Sequence, residues 1–202
     1  MRNESLPVTF EGSAAARGLL RALGWRVRFH GLPSRQGVIV VYPHTSNWDF
    51  PIGLLAKWAI GIELRYWAKD SLFRWPLFGR WMRWVGGVPV VRNAPSGVVG
   101  QMAERFAQAR ERDELLWLAV TPEGTRAWRP QWRSGFYHLA LKAGVPLGIA
   151  RLDWGAREVA FDRFLALSGD IVADQAAIAA AFAGVRGRRA ELAGPIEFRE
   201  GS

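Results

Sequence analysis

The sequence predicts a single α/β domain built on a mostly parallel central sheet flanked by helices. Short apolar, often β-branched runs alternate along the chain with longer helical patterns, as in sheets assembled from strand–helix units. A chain of 202 residues with 50% apolar content suffices for one sizeable core. No internal repeat appears, and no Pro-, Gly- or Ser-rich linker is long enough to divide the chain.

The elements follow in order. Ser13 to Arg28 reads as an amphipathic helix, with Arg17, Arg21 and Arg28 on one stripe and Leu19, Leu20, Leu23 and Val27 on the other. That pattern suits a membrane interface and equally a surface helix packed on the core. Residues 1–36 are accordingly set apart as an N-terminal amphipathic, membrane-associating segment, with the main domain at 37–202. Gly37 to Pro43 holds a continuous run, Val38 to Tyr42, expected as a buried parallel strand. A helix from Asp49 to Ile60 follows, then a strand over Ile62 to Ala68 and a turn at Asp70-Ser71.

Pro76 can open a helix at its first position, where a missing N–H costs nothing. Through Val85 that helix sets Phe78, Met82 and Val85 on one face, with Arg80 and Arg83 on another and Trp75, Trp81 and Trp84 around it. Gly86-Gly87 stops it, and Val88 to Val91 is a short strand. A polar helix over Ala94 to Arg112, a strand over Leu115 to Val120, a helix over Ser134 to Ala143 and a strand over Val145 to Ala150 complete the regular pattern. Arg157 to Leu167 reads as an antiparallel edge strand. The Ala-rich Asp174 to Val185 reads as a terminal helix with Ile178, Phe182 and Val185 inward.

Composition narrows the function classes. Lys+Arg 27 against Asp+Glu 18 leaves a net charge of +9, which points to a polyanionic partner, either nucleic acid or an anionic membrane surface. The basic residues are mostly Arg, since Lys occurs only at Lys57, Lys69 and Lys142. Eleven Trp, many alternating with Arg, favour a membrane interface over a Trp-rich core. The Trp75/Trp81/Trp84 group with Arg80 and Arg83 is the candidate membrane-associating surface. The absence of Cys excludes disulfides, Cys-ligated zinc and a cysteine thioester intermediate. No stretch reaches the roughly 18–20 apolar residues that span a bilayer, and the N-terminus lacks a signal-type apolar region. The protein is therefore expected to lie on the cytoplasmic face of a membrane, as a peripheral or monotopic protein.

Two segments directly follow buried strands: His44-Thr45-Ser46-Asn47-Trp48-Asp49 and Thr121-Pro122-Glu123-Gly124-Thr125-Arg126. In open α/β sheets ligands collect beyond the carboxyl ends of the strands, so these loops are the predicted site. If the first loop folds back, Asp49 can accept a hydrogen bond from one imidazole nitrogen of His44, leaving the other as a general base. No G-x-S-x-G segment supplies a nucleophilic serine, and Thr45 and Ser46 are poorly placed as immediate neighbours. Direct attack by a substrate hydroxyl therefore needs fewer assumptions. In the second loop, a flexible glycine, a hydroxyl and a guanidinium suit a phosphate. Nucleotide-type phosphate loops are absent, with no G-K-[ST] and no G-x-G-x-x-G.

These residues resemble the glycerolipid acyltransferase superfamily, typified by lysophosphatidic acid acyltransferases. His44 and Asp49 match its H-x4-D motif, and Gly87-Val88-Pro89-Val90-Val91-Arg92 is similar to its second block. Pro122-Glu123-Gly124-Thr125-Arg126 matches its P-E-G-T-R block, and Val145-Pro146-Leu147-Gly148-Ile149 is similar to its fourth. Lys69-Asp70-Ser71-Leu72-Phe73 also looks like a family element. The blocks occur in the family's order and cover a motif core of about residues 37–150.

The resemblance implies an O-acyltransferase of phospholipid biosynthesis. His44 would deprotonate the acceptor hydroxyl and Asp49 would orient it. Arg92, Glu123, Gly124, Thr125 and Arg126, with Lys69, would bind the glycerol phosphate of a 1-acyl-sn-glycerol-3-phosphate-like lysophospholipid. Acyl-CoA or an acyl carrier protein thioester would be the co-substrate, with no other cofactor, no metal and no nucleic-acid partner. Thr121 and Ala127 depart from the family's usual Phe and Ser. They leave room for another acceptor, such as a lyso-aminolipid. A non-catalytic basic membrane-binding module, or one binding single-stranded nucleic acid through Arg and Trp, is the rival from another class. It leaves the ordered blocks unexplained. A hydrolase using the same base on water is the third reading.

Overall fold

A computed structural model describes residues 8–90 and 97–199. The helices are α1 (Ala14–Ala22), α2 (Asp49–Ile60), α3 (Pro76–Trp84), α4 (Gly97–Glu111), α5 (Gly135–Ala143) and α6 (Ile171–Ala181). The strands are β1 (Arg26–Phe29), β2 (Gln36–Tyr42), β3 (Leu64–Lys69), β4 (Gly87–Val90), β5 (Leu116–Val120), β6 (Leu147–Asp153) and β7 (Glu158–Leu165). They form one seven-stranded sheet in the order β1-β7-β6-β2-β5-β3-β4. Strands β2 to β6 are mutually parallel, while β7 runs antiparallel to β6 and parallel to β1.

Two sequence expectations are corrected at the N-terminal side. The helix begun at Ser13 ends at Ala22, because Gly24 takes a left-handed φ of 77° and turns the chain. Arg26-Val27-Arg28-Phe29 then forms a strand rather than more helix. That strand covers β7, so Glu158–Leu165 is not an edge. The buried face of α1 is Ala16 and Leu20, packed against Ile52, Ala56 and Ala59 of α2; Leu19 and Leu23 are exposed.

Helices α1, α2 and α3 cover one face of the sheet and α4, α5 and α6 the other. The larger core joins Val38, Val40, Leu118, Leu147 and Ile149 to Phe106, Leu139 and Ile178. Trp25, Trp117 and Trp132 are core, Trp58, Trp67 and Trp154 are half-buried, and Trp48, Trp75, Trp81, Trp84 and Trp128 are exposed. Trp117 on β5 lies beside Gly37 on β2, and a Cβ there would overlap its ring. Near Pro76, the inward residues of α3 are Gly79 and Met82, followed by Val85; Phe78, expected inward, is exposed.

The carboxyl ends of the neighbouring strands β2 and β5 lie side by side at the centre of the sheet. The loops that leave them, at His44 and at Pro122, are thereby placed together.

Candidate active site

Strand β2 ends at Tyr42, whose bond to Pro43 is cis, and the chain passes through His44 to Trp48 before α2 begins at Asp49. The loop is built around the Asp49 carboxylate. Its Oδ2 accepts the backbone N–H groups of Thr45 at 2.8 Å and Ser46 at 2.7 Å, and lies 3.3 Å from Nδ1 of His44. Its Oδ1 accepts the indole N–H of Trp154 at 2.8 Å. Only 3% of Asp49 is exposed, a burial that a carboxylate tolerates when N–H donors replace its lost water. A place in the first turn of α2 adds the favourable end of the helix dipole. The His44 side chain is mostly buried, and no protein group among the described residues bonds its Nε2.

The second loop meets the first through Glu123. One of its oxygens accepts the backbone N–H of His44 at 2.8 Å, and the side chain is buried. Burial pushes the Glu123 carboxyl up to about 8, against the opposing pull of the His44 N–H, and the nearby Asp49 charge raises it further. The sequence placed Glu123 among groups that hold the acceptor; its carboxyl turns inward and ties the two loops together. Gly124 then takes a left-handed φ of 66°, and its N–H bonds the Thr121 carbonyl in a tight turn. Thr125 accepts the Ala127 N–H at 3.3 Å. Arg126 is exposed at the loop's end with no ion pair among the described residues.

Lys69 closes β3, paired in register with Val90. Because β3 runs parallel to β5, its backbone reaches the same end of the sheet. Arg92 lies outside the described residues. Arg80, Arg83, Trp75, Trp81 and Trp84 share the exposed side of α3, with Arg83 also over the Phe73 ring at 5.4 Å. The aromatic group reaches α2 through Phe50–Trp81 and Trp58–Trp84 ring contacts.

Sequence reasoning missed the segments that close over the first loop from the C-terminal third. Trp154, just after β6, supplies the third hydrogen bond to the Asp49 carboxylate. Its own N–H bonds the Arg186 carbonyl at 2.8 Å, and Arg189 N–H donates to Thr45 Oγ1 at 3.2 Å. Gly187 lies so close to Thr45 that a Cβ would sit 2.7 Å from its hydroxyl. No local pattern marks these residues, since Trp154 meets Asp49 across 105 positions of sequence.

No curated protein compared with the chain matches it. Among solved structures, it is similar to the 1-acyl-sn-glycerophosphate (LPA) acyltransferase PlsC from Thermotoga maritima. The identity is 20% and the TM-score 0.49, over 77% of this chain and 68% of that one. The family model Acyltransferase matches residues 26–148, which include both strand-end loops. With more than half of its length matched, this chain belongs to the Acyltransferase family.

Proposed function

We propose that the protein is an O-acyltransferase that moves a fatty acyl group from a thioester to the hydroxyl of a lysophospholipid. The donor is acyl-CoA or an acyl carrier protein thioester, and the acceptor resembles 1-acyl-sn-glycerol 3-phosphate. One observation carries the reading: Asp49, buried and held by three hydrogen bonds, lies 3.3 Å from His44 Nδ1 and leaves Nε2 unengaged.

Nδ1–H donates to Asp49, so Nε2 is the basic nitrogen. It takes the proton as the acceptor oxygen attacks the thioester carbonyl. The tetrahedral intermediate collapses with cleavage of the C–S bond, and the proton returns from Nε2 to the departing thiolate. The products are the diacyl lipid and a free thiol. No enzyme nucleophile is needed, which agrees with the lack of Cys. Arg126, with Arg92, Lys69, Gly124 and Thr125, serves the acceptor's polar headgroup. Glu123 holds the loop that presents His44. No cofactor or metal takes part in this scheme.

The lipid substrates call for a membrane surface. Trp75 and Trp84, 71% and 72% exposed, with Leu77 at 84%, present large apolar groups to the outside beside Arg80 and Arg83. Such a face suits the interface of an anionic bilayer. Among the described residues no helix is long and apolar enough to cross a membrane. On the strength of that basic, Trp-rich face we propose a peripheral position on the cytoplasmic face of the membrane.

The test is incubation of pure protein with labelled acyl-CoA and acyl-carrier thioesters against a lysolipid panel. Diacyl product is expected, with a loss of about 10²–10⁴-fold in turnover for His44→Ala. Near-normal turnover by that variant, or free fatty acid as the sole product, would sink the assignment.

A further inference from the structure

The segment after α6 brings one more charge to the site, from beyond the residues that the family model matches. Arg188 lies with its guanidinium carbon 5.4 Å from the centre of the Trp48 ring and 5.0 Å from that of Trp154. Both distances are within cation–π range. Both rings belong to the Asp49 environment: Trp48 immediately precedes it at the start of α2, and Trp154 donates to its carboxylate. The backbone beneath is anchored on both sides of Arg188, by Gly187 packed on Thr45 and by the Arg189 N–H on the Thr45 hydroxyl.

Two aromatic faces therefore restrict a side chain that would otherwise lose considerable rotamer freedom on binding. A cation–π contact leaves N–H donors of the guanidinium for an anion. Among the described residues no carboxylate pairs with Arg188. An unpaired guanidinium held over two rings of the Asp49 environment has the chemistry of a phosphate receptor.

We propose that Arg188, clamped between Trp48 and Trp154, binds the phosphate of the lipid acceptor and sets its headgroup beside His44. This rests on the acyl-transfer reading, and it makes Arg188 a determinant of acceptor choice. The donor also carries phosphate, beyond the far end of its pantetheine arm, so the experiment separates the two sources.

Equilibrium binding and kinetics together decide it. Binding of a short-chain monoacylglycerol phosphate and of its dephosphorylated counterpart is measured on the wild type, Arg188→Ala and Arg188→Lys. Arg188→Ala is expected to weaken the phosphorylated ligand about 10-fold or more, as for loss of a charge-assisted hydrogen bond, and to spare the dephosphorylated one. Arg188→Lys retains part of the affinity, having charge without the planar fork. In turnover, the acceptor KM rises by a similar factor while kcat and the donor KM hold. Equal weakening of both ligands, unchanged affinity, or a change confined to the donor KM overturns the proposal. Failure of the acyl-transfer reading has a different signature: phosphate-selective binding that depends on Arg188 persists, but no acyl product forms.

Discussion

At the scale of single residues, the Asp49 carboxylate decides what His44 can do. Two backbone N–H groups and an indole hold it still, so the imidazole that leans on it has one orientation. Asp49→Asn keeps the volume but presents an amide N–H where an acceptor is needed, which favours the wrong imidazole tautomer. Its kcat should fall on the order of 10²-fold or more, with the acceptor KM little changed. A variant whose defect is confined to KM would show that Asp49 serves binding instead. Glu123 gives a prediction about stability. A carboxyl held at about 8 when folded, against an ordinary unfolded value near 4.5, retains its proton in the native state over that interval. The native protein then binds more protons than the unfolded one, so this group's contribution is present below about 4.5 and lost as pH rises through about 8. Glu123→Gln, which keeps an oxygen to accept the His44 N–H, should remove that slope. Measured between pH 6 and 9, the wild type should lose several degrees more in Tm than the variant, at about 2–4 °C per kcal/mol for this size. Parallel Tm curves would refute the inward, protonated Glu123.

At the scale of elements, α3 displays its apolar side chains outward. Gly79 packs against the Phe73 carbonyl in the turn before α3, and Met82 faces Tyr66 of β3, so small or flexible groups point inward while Trp75, Leu77 and Trp84 face away. Replacing Trp75, Trp81 and Trp84 by Ala with Arg80 and Arg83 by Gln should abolish sedimentation with anionic vesicles and leave acylation of a monomeric short-chain acceptor within a few-fold. Undiminished sedimentation would move the membrane contact to another surface. The helix itself was legible from Pro76 and Gly86-Gly87, and so were β2, β5 and α2, because their signals lie within each segment. What was not legible depended on distant partners. Arg26 to Phe29 alternates charged and apolar residues, and only its pairing with β7, more than 120 positions away, makes it a strand. The same pairing removed β7 from the edge. The inward packing of Phe78 failed for a related reason: the stripe is set by what α3 lies against, and there Gly79 allows the close approach.

At the scale of the whole molecule, the site is assembled from three parts of the chain that the sheet order brings together. The loop after β2 carries the proposed base, the loop after its neighbour β5 braces it, and the chain after β6, on the other side of β2, covers it. The two loops could be read from sequence because each carries its own polar motif behind an apolar strand. The cover could not, because Trp154 is far in sequence from Gly187 and Arg188 and each is individually ordinary. Its importance can be measured at Trp154. Trp154→Phe keeps a ring to face Trp25 and Arg188 but deletes the N–H to Asp49 Oδ1. A buried carboxylate deprived of one donor costs about 1.5–3 kcal/mol where the interaction is fully formed, equivalent to roughly 10–150-fold. That loss should appear chiefly in kcat, with vesicle binding near wild type, since α3 is not touched. Gly187→Ala supplies the complementary case: its Cβ would press on the Thr45 hydroxyl and lift the cover as a unit, raising the acceptor KM as well. Wild-type kcat in Trp154→Phe would mean that the two backbone N–H groups alone hold Asp49, and that the C-terminal third shields the site without taking part in its chemistry.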